Sequence, residues 1–97
     1  MNKKLTVVAS FQSHPGKEAE LRTLLLGLVS PTLQEEGCIN YDLHQSIEDP
    51  TKFLFYENWV SREHLDRHLQ SEHIKVLLLR REELCMQPPE ITFWEHV

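Results

Sequence analysis

Cysteine, glycine and long apolar runs are all scarce in this 97-residue chain. Its two cysteines, Cys38 and Cys85, fit no C-x-x-C spacing, so no disulfide framework is indicated and a reducing cytoplasm is favoured. No apolar stretch reaches the 18 residues that a membrane span needs. Only three glycines and five prolines are present, without a low-complexity tract. We therefore expect a single folded domain over residues 1–97, located in the cytoplasm and not in a membrane.

Basic residues are outnumbered, with ten Lys and Arg against fifteen Asp and Glu and a net charge of −5. They are also scattered, so nucleic acid is not an expected partner. The opening MNKKLTVVASF begins like a signal peptide, with two lysines before an apolar run. Thr6, Ser10 and Gln12 interrupt that run, so a first strand is the better interpretation.

The spacing of apolar residues predicts alternating strands and helices. Leu21, Leu24 and Leu25 recur at helical spacing, whereas Ile39, Tyr41 and Leu43 recur at strand spacing. The predicted strands cover 5–12, 38–46, 52–59 and 91–97; one helix runs from Lys17 to Gly37, kinked or restarted at Pro31, and others begin at Ser61 and Glu72. This β-α-β-β-α-β order predicts an α+β, ferredoxin-like fold.

The third strand has two unlike faces. Phe53, Phe55, Glu57 and Trp59 share one face, and Leu54, Tyr56 and Asn58 share the other. Both faces are expected to be largely buried, one under the helices and the other in a homodimer that packs sheet on sheet. Either face could line a pocket, because the sequence does not orient the strand.

Glu57 and three histidines are the candidate groups for proton chemistry. A buried carboxyl has a raised pKa unless a cation lies near, so Glu57 could act as a base or orient one. The alternative is a fixed pair with His or Arg that only holds the fold. His64 and His68 lie four residues apart on one helix face, but no third ligand follows at zinc-site spacing. We expect no metal there.

Residues 35–73 carry a family likeness. Its marks are Gly37-Cys38 before a strand with Tyr41, the Asp49-Pro50 turn, Glu57 with Trp59, and His68-Leu69 followed by Ser71 and His73. This pattern resembles the antibiotic biosynthesis monooxygenase domain, and the looser likeness extends over nearly the whole chain. The resemblance implies a dimeric α+β barrel and the oxidation of quinols or polycyclic phenols by molecular oxygen without flavin or metal.

The same resemblance argues against haem binding and haem degradation. Haem-degrading relatives use an asparagine in the first strand, a tryptophan near position 68 and a ligand histidine near position 78. The first strand here has no Asn, and the other positions hold His68 and Leu78. We expect no cofactor. Asn58 and Trp59 loosely match a pair that polyketide-type monooxygenases use on the third strand.

The leading hypothesis is a cofactor-independent monooxygenase acting on a small quinol or related aromatic. Its predicted catalytic residues are Glu57, His68 and His73, with Glu57 orienting a histidine base. The predicted substrate-binding residues are Phe53, Phe55, Asn58, Trp59 and His64. Two alternatives stay open: an isomerase or tautomerase of a small carbonyl compound, and a non-catalytic dimeric binding module.

Overall fold

The structure, a computed structural model, describes residues 4–97. Met1, Asn2 and Lys3, which begin the predicted domain, lie outside the described residues. The elements are β1 (Leu5–Gln12), α1 (Glu18–Leu26), α2 (Val29–Leu33), β2 (Cys38–Gln45), β3 (Lys52–Trp59), α3 (Arg62–Leu69), α4 (Glu72–Leu84) and β4 (Glu90–Trp94). Grouping α1 with α2 and α3 with α4 gives β-α-β-β-α-β. The predicted ferredoxin-like fold is confirmed.

One antiparallel sheet with the strand order β2-β3-β1-β4 organises the fold. Glu57 of β3 is opposite Val7 of β1 on one side and Tyr41 of β2 on the other. Because side chains alternate along a strand, these three project from the same face. All three are at most 3% exposed. This face is the one that the helices cover.

The helices begin and end where local chemistry dictates. α1 ends at Leu26, and α2 restarts at Val29 with Pro31 in its first turn, where the missing amide hydrogen costs little. The Ser61 hydroxyl accepts a hydrogen bond from the His64 amide, and the Ser71 hydroxyl accepts one from the amide of Ile74. Ser61 and Ser71 are thus the N-caps of α3 and α4.

The last strand is shorter than predicted. β4 ends at Trp94, which is opposite Thr6, because β1 begins at Leu5 and the pairing cannot extend much beyond it. On the helix side of this edge strand, the Arg62 guanidinium lies 4.5 Å from the centre of the Phe93 ring. Among residues 4–97, no helix combines the length and apolar character needed to cross a bilayer.

The second face of the sheet is only partly covered. Tyr56 of β3 and Trp94 of β4 project from it and are 41% and 57% exposed. Asn58 on the same face is buried, because its side chain bonds to Thr6 and Asn40 on the neighbouring strands. The expectation that both faces of β3 are buried holds within one chain for the helix-covered face only.

Candidate functional site

A cavity of about 160 Å³ lies between the sheet and helices α3 and α4. Among the described residues, its lining is apolar apart from Tyr41 and Glu57. The apolar lining residues are Val7, Ala9, Phe11, Leu65, Leu69, Ile74, Leu77, Leu78, Pro89 and Ile91. Leu78 and Ile91 are 49% and 37% exposed, so the cavity meets solvent where α4 passes the edge strand. The arrangement resembles a small-molecule site, with few polar groups in an apolar hollow.

Glu57 is the acidic group of this cavity. Its carboxylate oxygen Oε1 accepts a hydrogen bond of 2.8 Å from Nε1 of Trp59, and the residue is 3% exposed. The pKa of Glu57 is raised to about 7, chiefly by burial; the bond from Trp59 opposes the rise, and the charge of Glu35 adds to it. Glu57 therefore exchanges a proton readily near neutral pH, as a general base must.

Tyr41 supplies the second polar group. Its ring stacks on Phe55 at a centroid distance of 4.1 Å, which fixes its direction across the sheet. Burial, together with the nearby charge of Glu57, raises the pKa of the Tyr41 phenol above its ordinary value. The hydroxyl therefore keeps its proton at neutral pH and can donate a hydrogen bond to a bound molecule.

Two of the predicted histidines meet at Glu35, which lies between α2 and β2. Nδ1 of His68 and Nε2 of His73 are each 2.7 Å from the same oxygen, Glu35 Oε2. Burial lowers the pKa of His68, while the neighbouring Glu35 opposes that change. The carboxylate thus fixes which ring nitrogen of each histidine carries a proton. The structure corrects the expected pairing, since the acid that contacts the histidines is Glu35 and not Glu57.

Trp59 lies between Glu57 and the histidines that contact Glu35. Its indole donates to Glu57, and its ring centroid lies 4.7 Å from that of His68. His68 also contacts the edge of Tyr41, with ring centroids 5.3 Å apart. His68 is therefore packed behind the cavity wall, where it supports the side chains that reach the cavity.

The predicted substrate-binding residues are divided by the fold. Phe53, Phe55 and Trp59 are buried on the same face as Glu57, beside the cavity but outside its lining. Asn58 projects from the opposite face, so it is not part of this hollow. His64 packs over Gly37, and its Nδ1 lies 2.7 Å from the Ser61 hydroxyl. The structure thus separates Asn58 and His64 from the cavity.

The sequence interpretation missed Glu35 and most of the cavity lining. Glu35 is the first residue of the segment 35–73 that carries the family likeness, and that position was the available signal. Its partners are 33 and 38 residues away, so no local spacing joins them. The lining residues read as ordinary core positions, because an apolar side chain beside a cavity has the same pattern as one in a filled core.

Comparison with known proteins gives consistent results. The family model described as antibiotic biosynthesis monooxygenase matches residues 4–77. The crystal structure of PA3566 from Pseudomonas aeruginosa is similar, with a TM-score of 0.95 and 32% identity over 100% of this chain and 97% of that chain. Rv0793 from Mycobacterium tuberculosis has a TM-score of 0.89 and 31% identity, covering 97% of this chain and 95% of that one.

A third relative carries the name of an activity. YgiN of Escherichia coli (strain K12), named "Probable quinol monooxygenase YgiN", is 32% identical over 81 residues, which cover 73% of this chain and 78% of the relative. The family match spans most of the chain. It includes Tyr41, Glu57 and the two histidines that contact Glu35. On this evidence, the chain belongs to the antibiotic biosynthesis monooxygenase family.

Proposed function

We propose that this protein is a cofactor-independent monooxygenase that oxidises a small quinol or related aromatic with molecular oxygen. The observation that carries the proposal is a carboxyl group with a pKa of about 7 that lines an apolar cavity. The name of a relative, "Probable quinol monooxygenase YgiN", supports the same substrate class. Membership of the monooxygenase family supports the reaction type.

The size of the cavity favours a single aromatic ring. An apolar cavity of about 150 Å³ is known to accept benzene, and this one measures about 160 Å³. A ring with two hydroxyl groups fits if Leu78 and Ile91 at the mouth move slightly. Polycyclic phenols would require α4 to move away from β4. We therefore expect one-ring quinols to react faster than substrates with fused rings.

The proposed step uses Glu57 as the base. Ionised Glu57 takes a proton from one phenol hydroxyl, and the electron-rich quinolate then transfers electrons to oxygen. Overall, one quinol and one O2 give one hydroxylated quinone and one water. The ring gains one oxygen atom, the other oxygen atom becomes water, and all four electrons come from the quinol. The Tyr41 phenol donates a hydrogen bond to the oxyanion that develops.

Trp59 and His68 have positioning roles in this proposal. Trp59 aims the Glu57 carboxylate through its 2.8 Å bond, and His68 supports the Trp59 ring. His73 acts indirectly, because it contacts the same Glu35 oxygen as His68 and so helps to hold His68 in place. The structure therefore favours Glu57 over either histidine as the group that touches substrate.

The test is oxygen uptake by purified, chelator-treated protein with a one-ring hydroquinone, measured against the uncatalysed rate. We expect acceleration that rises with pH through about 7, because Glu57 must be ionised. With labelled O2, one labelled atom should enter the product. Glu57→Gln should lower kcat by about 100-fold or more, the ordinary contribution of a general base. Glu48→Gln, at an exposed turn residue, is the matched control.

Two outcomes would contradict the proposal. If a panel of hydroquinones shows no acceleration that depends on Glu57, the protein is not this kind of oxygenase. If a carbonyl substrate turns over equally well without oxygen, the cavity belongs to an isomerase. Complete absence of turnover with unchanged ligand binding would favour the binding module.

We also propose that two copies pair through the partly exposed sheet face in the cytoplasm. Tyr56 and Trp94 provide large aromatic surface there. Light scattering after gel filtration should give twice the mass of the 11.5 kDa chain. Tyr56→Glu, which replaces an exposed aromatic ring on this face with a charge, should shift the mass towards the monomer. Leu79→Glu on the outer side of α4, at a position 85% exposed, should leave the mass unchanged.

A further inference from the structure

A cluster of three potential metal ligands lies outside the cavity. Glu35 follows α2, His68 is in the last turn of α3, and His73 is in the first turn of α4. One ligand atom from each residue lies within 4.8 Å of the other two. Two helices and the segment after α2 thus bring two imidazole nitrogens and one carboxylate oxygen close together.

This cluster lies outside the cavity, and it reaches solvent through Glu35 and His73, while His68 is buried. The three residues are absent from the cavity lining, and His68 packs against the rings of Trp59 and of Tyr41, which lines the cavity. His73 lines a groove of about 580 Å³ between α1 and α4. The side chains of Glu35 and His73 are 18% and 20% exposed. An ion could therefore enter through the groove without passing the proposed reaction site.

We propose that Glu35, His68 and His73 bind one divalent transition-metal ion of the zinc type. Two imidazoles with one carboxylate form a donor set that zinc accepts, with a fourth position left for water from the groove. Magnesium and calcium prefer oxygen ligands, so they are disfavoured. The ion has no part in the proposed oxygen chemistry and would stabilise the junction of α2, α3 and α4.

Metal binding must replace the hydrogen bonds that His68 and His73 now make with Glu35. Each imidazole now directs a ring nitrogen at Glu35 Oε2 over 2.7 Å. In a neutral imidazole, only one ring nitrogen carries a proton. If that proton moves to the nitrogen that points away from Glu35, the nitrogen near Glu35 has a lone pair for the metal. Three bonds to one metal ion then replace the two hydrogen bonds.

The positions of the ligands require only a small adjustment. Zinc bonds of about 2.0 to 2.2 Å in a tetrahedral site place ligand atoms roughly 3.3 Å apart. The observed 2.7 Å contacts are slightly shorter than that, and the widest separation is at most 4.8 Å. His68 is held by its aromatic neighbours and by the Ser71 hydroxyl, which donates to its carbonyl over 2.7 Å. Glu35 and His73 are exposed enough to shift.

The experiment is calorimetric titration of ZnSO4 into tag-free, chelator-treated protein, with the visible spectrum of the Co2+ form as a geometric readout. We expect one ion per chain and a tetrahedral cobalt spectrum. His73→Ala and Glu35→Gln should each weaken zinc binding by more than the roughly 10- to 100-fold cost of losing an outer contact. His44→Ala, at an exposed histidine on the open sheet face, is the matched control and should bind normally. Far-UV circular dichroism verifies that each variant is folded.

Two results would overturn the metal site: no stoichiometric zinc binding by the parent, or binding that both folded variants retain. Equal uptake of Mg2+ would also contradict it, because the donor set would then not be responsible. Titration needs no substrate, and oxygen uptake is measured on chelated protein. Failure of the metal site and failure of the proposed oxygenase are therefore distinguishable.

Discussion

Replacing Glu57 with glutamine should stabilise the protein while it removes activity. The carboxyl is 3% exposed and its pKa is raised from the ordinary 4.5 to about 7 by burial. At about 1.36 kcal/mol for each pKa unit, this difference corresponds to about 3 kcal/mol. The structure therefore pays a penalty for ionising Glu57 that glutamine, being neutral, does not incur.

The direction of the pH dependence follows from the raised pKa. Below pH 4.5 the carboxyl is protonated in both the folded and the unfolded chain, so it contributes no penalty. As the pH rises from about 4.5 to about 7, the unfolded chain releases this proton first, and the folded protein loses stability. Above pH 7 both states are ionised, and the full penalty of about 3 kcal/mol applies.

Urea unfolding followed by tryptophan fluorescence measures this effect, because Trp59 is buried in the core. At pH 8, Glu57→Gln should be more stable than the parent by about 3 kcal/mol. At pH 4.5, the two proteins should differ by less than about 0.5 kcal/mol. The glutamine oxygen still accepts the Trp59 bond, so packing is retained. Glu48→Gln should show no comparable difference between the two pH values.

A stability difference that is the same at pH 4.5 and pH 8 would refute this reasoning. It would mean that glutamine acts through packing or hydrogen bonding and not through the removal of a buried charge. A destabilised variant at pH 8 would indicate that Glu57 has a cationic partner in the folded protein. In that case the group would be a structural acid and a poor base.

Three further substitutions test the surroundings of this carboxyl. Trp59→Phe removes the donor that holds the pKa of Glu57 down, so the pH profile of kcat should move to higher pH in a stopped-flow assay. Ala9→Leu should fill the cavity and raise KM for a hydroquinone at least tenfold while the pH midpoint is retained. Gly37→Ala should destabilise by roughly 1 to 3 kcal/mol in urea, because its φ is +85° and the new methyl group would overlap the His64 ring.

Local pattern located the elements of this fold, although not all of their ends: the helix predicted to reach Gly37 ends at Leu33. Residues 5–12 and 52–59 alternate as strands, and the hydroxyls of Ser61 and Ser71 accept the first amide bonds of the two later helices. These signals lie within a few residues of one another, so they can be recognised from the sequence without knowledge of the rest of the chain. The error at the end of β4 arose because strand length depends on the partner strand.

Part of the site was also predictable from the sequence. Glu57 beside Trp59 on an apolar strand indicated a buried acid, and burial does raise its pKa. The sequence also singled out His68 and His73 as candidates for proton chemistry, and the structure brings their ring centroids to 5.9 Å from each other. Their shared acid was not found, because Glu35 reaches them only when the loop before β2 packs against the α3–α4 junction.

The sequence by itself determined which side chains alternate along each strand and where the helices begin, since these depend on covalent spacing and nearby hydrogen bonds. Tertiary structure alone decided that Glu57 faces the helices while Asn58 faces the other way. It also decided that a cavity remains above Glu57, and that Glu35 and not Glu57 joins the two histidines. Such outcomes depend on how side chains from distant segments fill a shared volume, which no local pattern specifies.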